Sequence, residues 1–176
     1  MEMPAPETIA ADDFVTTWRQ VVQNPVGFFA TMPESGGLGE PMRFLGICAA
    51  IDAAGTLLVT WSLHATIAAA VWLLVGSIVL AAVLTLVTQH LFEGRAGFEP
   101  VFRVVAWGSA PAVAFWIPRL GGLACLYAWY LHVRGVERVQ NLDAARATLA
   151  TTVAWVGVWL VVRGLAGAPL GWIGTR

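Results

Sequence analysis

Apolar and polar positions alternate on a long scale in this chain. From Ala53 to Phe92 there is no Asp, Glu, Lys or Arg. A bilayer-spanning helix needs about 20 mainly apolar residues, so this uncharged run has the length of a helix pair. The pattern predicts a first span over residues 42–63 and a second over 65–91, with the turn at 62–66. Polar residues with helix breakers follow at 93–100. A third span is predicted over 101–117 and a fourth over 120–133. Both are short, and Arg103, Arg119 and Arg134 bracket them, where long side chains can reach toward the headgroups. A re-entrant pair is the alternative for these two. A fifth span is predicted over 145–162, capped by Asp143.

Ahead of the spans, residues 12–25 carry a different period. Phe14, Trp18, Val21 and Val22 fall on one helical face, Asp12 or Asp13 can cap it, and Pro25 ends it. This predicts an amphipathic helix lying at the membrane interface, with Phe28 and Phe29 continuing the apolar contact. Packing against the protein's own bundle is the other reading. Residues 1–43 hold six acids and two arginines, so attraction to anionic lipid is not what holds the helix. The expected organisation is therefore an all-α membrane bundle of five helices. Residues 1–41 form an N-terminal segment, 42–165 the membrane domain and 166–176 a short tail.

Composition supports a bilayer protein. The chain is 58% hydrophobic and 12% charged, with mean hydropathy +0.72, against about 25% charged in ordinary soluble domains. A net charge of −1 gives no nucleic-acid footprint. With five spans, seven arginines fall on the N-terminal side and three (Arg119, Arg163 and Arg176) on the other. The positive-inside rule then places the N-terminus in the cytoplasm, the C-terminus opposite. All ten basic residues are Arg, which with abundant Ala, Gly and Val suggests a GC-rich bacterial genome. The acidic, proline-bearing start is not expected to be a signal peptide.

Few residues carry candidate chemistry. Asp52 stands mid-span, where a carboxylate costs about 2.5–3.5 kcal/mol on insertion scales. It should face the bundle interior or a watery cavity, with Arg103, Thr85, Thr88, Gln89 or the hydroxyls of Thr148, Thr151 and Thr152 as partners. It reads either as an ion or proton site or as a structural contact. Pro111 interrupts the third span after Gly108 and Ser109, and leaves a backbone carbonyl that needs another donor. That break reads as a hinge or as a packing kink. Gly46, Ala50 and Ala54 make a small-residue face on the first span, suited to close helix packing within one chain or between copies. Trp61, Trp72 and Trp116 suit an aromatic belt. No metalloprotease, lipase or phosphate-loop motif is present, and no cofactor site is expected. Trp18, Phe28, Phe29, Arg134, Arg138 and Arg146 are candidate contacts for a partner or lipid, the three arginines within a polar loop over 134–146. Expected partners are membrane lipids, a second copy or another membrane protein.

Residues 12–33 (DDFVTTWRQVVQNPVGFFATMP) resemble the opening of bacterial members of the Yip family, the Ypt/Rab-interacting membrane proteins: a tryptophan-bearing amphipathic segment, Asn-Pro, then Phe-Phe. Residues 102–147 are similar to that family through Ser109-Ala110-Pro111, the Ile-Pro-x-x-Gly turn at 117–121, Trp129-Tyr130-Leu131, Gly135 and a final Leu-Asp-x-x-Arg-Ala. Trp107 stands where the family usually has tyrosine. The resemblance implies five spans, a cytoplasmic N-terminus and a non-enzymatic role in membrane organisation or trafficking, with no cofactor. A small transporter or channel lined by Asp52 and the Pro111 break is the alternative.

Overall fold

A computed structural model describes residues 11–165. The described residues contain helices only. In chain order they are α1 (Ala11–Gln23), α2 (Pro25–Thr31), α3 (Gly39–Thr60), α4 (Leu63–Leu91), α5 (Phe98–Gly108), a 3-10 turn (Ala110–Ala114), α6 (Leu120–Gln140) and α7 (Ala144–Leu165). The tail over 166–176, with Arg176 and Trp172, lies outside the described residues, as does the side chain of Arg163.

Among the described residues, three helices are long and apolar enough to cross a bilayer: α3, α4 and the stretch of α7 over Ala144–Val161. At 1.5 Å per residue the 29 residues of α4 extend about 43 Å, more than the ~30 Å hydrocarbon core. The hairpin between α3 and α4 is tighter than expected. Helix α3 ends at Thr60, Trp61 takes a left-handed conformation with φ 51°, and the Ser62 hydroxyl accepts from the Ala65 amide. So the turn is two residues, not the stretch 62–66. Trp61 stands at its tip, 86% exposed.

The predicted third span is not one helix. Helix α5 stops at Gly108 and a five-residue 3-10 turn follows, with Pro111 near its start. Proline cannot donate to the preceding turn, and its ring disfavours α geometry in the residue before it. Together the two pieces rise about 26 Å.

The predicted fourth span is longer than its apolar run. Helix α6 continues through Arg134, Glu137 and Arg138 to Gln140, so the expected polar loop over 134–146 shrinks to 141–143. Arg134 and Glu137 pair at 2.6 Å one turn apart, a helical spacing. Asp143 does cap α7, its Oδ2 accepting from the Arg146 amide at 3.3 Å.

The other elements form a ring around α5. Helix α3 packs on α4, α4 on α7, α7 on α6, α6 on α2 and α2 on α1. A tilted contact of Phe14 with Phe44, ring centroids 5.1 Å apart, closes the ring from α1 back to α3. Consequently α5 is buried on every side, with Val101, Phe102, Val104, Val105 and Ala106 fully enclosed. Lipid tails are as apolar as these side chains, so tight packing rather than exclusion of water holds a bundle's centre. Gly135 permits a close approach to α5: a Cβ there would collide with the Val104 side chain.

The apolar face of α1 is turned onto this bundle. Val21 is fully buried, and Phe14, Trp18 and Val22 pack against the core. Phe29 is buried too, and Phe28 lies 5.7 Å from Trp107. Asp13 lies within α1 rather than ahead of it. By contrast, the expected small-residue face of α3 does not pack inside the protein. Ala50 and Ala54 are exposed, and nothing lies within 4 Å of a Cβ built on Gly46. The buried face of α3 is instead Cys48, Ala49, Asp52 and Gly55.

Candidate functional site

The break after Gly108 sets the chemistry of the bundle's centre. Side chains from other helices bond two backbone carbonyls beside it, one of which, Val105, also keeps its helical partner, the Ser109 amide at 3.0 Å. Trp18 Nε1 of α1 donates to the Ala110 carbonyl at 2.9 Å. His132 of α6 is fully enclosed, and its Nε2 bonds the Val105 carbonyl at 3.1 Å. The Ser109 hydroxyl donates to that same carbonyl at 2.8 Å.

These bonds determine the histidine tautomer. A carbonyl only accepts, so the proton is on Nε2. The opposite ring nitrogen, Nδ1, accepts from Trp155 Nε1 of α7 at 3.1 Å. Both nitrogens of a neutral imidazole are thereby satisfied. Ser109 and His132 share an acceptor but do not bond each other.

Beside this cluster lies a cavity of about 180 Å³ between α4, α6 and α7. Ser77, Ser109, Ala128 and His132 line its depth, and Trp72 and Trp159 stand at its margin. Asp52 and Pro111 are not in its wall.

A second polar cluster ties the other end of α5. Arg103, 2% exposed, donates from Nη1 to the Gly37 carbonyl at 2.7 Å. The Gly37 amide donates to Glu99 Oε1, also at 2.7 Å. Gly37 has φ +85°, a region that suits glycine. The two side chains of α5 thus hold both polar groups of one loop residue. Arg103 Nε is buried without a partner. Nearby, Gln140 at the end of α6 donates to Thr88 Oγ1 at 2.8 Å and accepts from the Ala96 amide at 2.9 Å. A Cβ on Gly94 would collide with this glutamine.

The sequence-selected residues therefore separate into groups. Trp18, Ser109 and Pro111 meet at the break, with Phe28 one aromatic ring away. Arg103 stands about two turns toward the loop end. Asp52 is buried opposite the Trp116 backbone amide. It makes no ion pair with Arg103 among the described residues; the hydroxyls of Thr85, Thr88, Thr148 and Thr152 donate to carbonyls one turn back, and Thr151 Oγ1 is buried without a partner. Arg138 reaches Glu34 at 3.4 Å and Arg146 reaches Asp143 at 3.3 Å, both exposed. His132, Trp155 and Gln140 were not selected. A readable sign of the first and last is their position on the α6 face of Ala128, His132, Val136 and Gln140, spaced by fours.

A helical bundle with three uncharged or nearly uncharged helices of spanning length is an integral membrane protein. The Yip1 domain family model matches residues 19–166, and the chain belongs to that family. No curated protein and no solved structure matches it.

Proposed function

We propose that the protein is a non-enzymatic Yip-type bundle of five membrane segments, with α1 and α2 packed on its flank and its N-terminus in the cytoplasm of a bacterial inner membrane. It acts through helix packing, oligomerisation and binding of lipids or membrane-protein partners in membrane organisation or trafficking. The broken helix α5 with its 3-10 turn is the third segment and α6 is the fourth.

One observation carries this reading. The polar side chains around the break, Trp18, Ser109, His132 and Trp155, bond to backbone carbonyls or to one another instead of converging on a reactive atom. His132, the natural base beside Ser109, has its acceptor nitrogen occupied by Trp155. General-base chemistry needs that nitrogen within reach of the proton it takes.

Native mass spectrometry of the protein in nanodiscs, with bound lipids retained, tests the reading. A defined oligomer supports it, as does a defined partner complex crosslinked from 134–146. A monomer that moves a solute across liposomes, in a manner abolished by Asp52→Asn, overturns it in favour of a transporter.

A further inference from the structure

We propose that the cavity between α4, α6 and α7 is a lateral binding site for the methyl-terminal part of a phospholipid acyl chain, entering from the bilayer. The proposal deepens the lipid-binding part of the reading above and rests on it.

Depth is the first support. Ser77, in the cavity wall, is the middle residue of α4, about 21 Å from either end. A chain end, not a headgroup, occurs at that depth in a bilayer whose hydrocarbon is about 30 Å thick. No formal charge occurs anywhere from 53 to 92, so nothing on α4 would draw a polar molecule there.

The mouth is the second. It lies between α4 and α7, two of the helices of spanning length and composition. Trp72 and Trp159 at its rim are 46% and 40% exposed. A cavity opening between two such helices opens onto lipid.

The wall chemistry is the third. The Ser77 hydroxyl donates to the Leu73 carbonyl at 2.6 Å, and the Ser109 hydroxyl to Val105. His132 and Trp155 are bonded to each other, and the remaining histidine N–H goes to Val105. The deep polar groups thus have their hydrogens committed to protein atoms. A ligand that needs hydrogen-bond donors would have to break one of these bonds, leaving only serine oxygens to accept, whereas a hydrocarbon breaks none. Size agrees, since an engineered apolar cavity of about 150 Å³ takes up benzene and this one measures about 180 Å³.

The test uses the full chain reconstituted in phosphatidylethanolamine–phosphatidylglycerol vesicles. A trace of phosphatidylglycerol carries a photoreactive diazirine near the methyl end of one acyl chain. After illumination, crosslinked peptides are mapped by mass spectrometry. Adducts should concentrate on the cavity segments around Gly76 and Ala128, above the level at the lipid-facing residues Leu58 and Leu126. A probe with the diazirine beside the ester should lose that concentration. Ala128→Leu fills the cavity from α6. Excluding about two methylenes should lower cavity labelling about tenfold and leave Leu58 unchanged. If that variant does not fold, Gly76→Leu fills the cavity from α4 and is read the same way. Equal labelling of cavity and outer faces, or labelling indifferent to filling, overturns the acyl-chain site alone. Absence of adducts at Leu58 and Leu126 as well overturns the membrane-embedded bundle with it.

Discussion

Arg103 and Gly37, 66 residues apart in sequence, are joined by a 2.7 Å bond from the guanidinium to the backbone carbonyl. The bond ties the start of α5 to the loop that leads into α3, and Glu99 secures the same glycine from its amide side. Hydrogen bonds involving a charged group contribute about 1.5–3 kcal/mol. Arg103→Ala should therefore destabilise the protein by about that amount. Glu99→Gln, which keeps an acceptor oxygen, should cost less. Thermal unfolding in detergent, followed by tryptophan fluorescence, checks the order of the two.

Trp18 donates to the Ala110 carbonyl, in the 3-10 turn that follows α5. Trp18→Phe keeps an aromatic ring and removes the donor. It should cost about 1 kcal/mol, the usual net value of a neutral hydrogen bond. Hydrogen exchange should rise across α1 and α2 while α4 keeps its protection. Unchanged exchange in α1 would show that the bond does not hold this helix in place.

Glycines divide by what surrounds them. Gly135→Ala drives a methyl into Val104 and should cost about 1–3 kcal/mol through overpacking. Gly46→Ala meets nothing within 4 Å and should leave the melting temperature unchanged or slightly raised, since alanine favours helix by about 1 kcal/mol. The pair can be compared in one melting experiment.

Asp52 lies outside the cavity and forms no ion pair with Arg103. Asp52→Asn preserves shape and an acceptor oxygen facing Trp116. Proton and cation leak through liposomes containing the variant should equal that of the unaltered protein. A leak that changes with this substitution would reinstate a pathway role for the carboxyl.

Much of the architecture was legible in the chain. The uncharged stretch from 53 to 92 gave the α3–α4 hairpin within a few residues, because two long apolar helices leave no other arrangement in lipid. Pro111 marked the interruption of α5, and the need of a freed carbonyl for a new donor was a necessary consequence. Which side chains gather at the break was not legible. The apolar stripe of Phe14, Trp18 and Val21 looks the same whether it faces lipid or protein, and only tertiary contact reveals Trp18 as a partner of Ala110. The apolar pattern stops at 133, short of the end of α6 at Gln140, because Arg134, Glu137 and Arg138 look like loop residues when counted as charges. On a helix, Arg134 and Glu137 neutralise each other and the opposite face carries Val136 and Gln140. His132 was passed over because a single histidine near a predicted span end has no pattern of its own. Its place depends on Val105 and Trp155, 27 and 23 residues away.

The central claim is that α5 with its 3-10 turn goes out across the membrane and α6 returns. Thiol accessibility in sealed vesicles tests it most directly, in a protein with Cys48 and Cys125 replaced by alanine. Single cysteines at Glu34, Gly97 and Arg138 should react with a membrane-impermeant maleimide from one side. Single cysteines at Thr60 and Pro118 should react only from the other. Reaction of Pro118→Cys from the same side as Arg138→Cys would make the two segments a re-entrant pair and contradict the five-segment bundle.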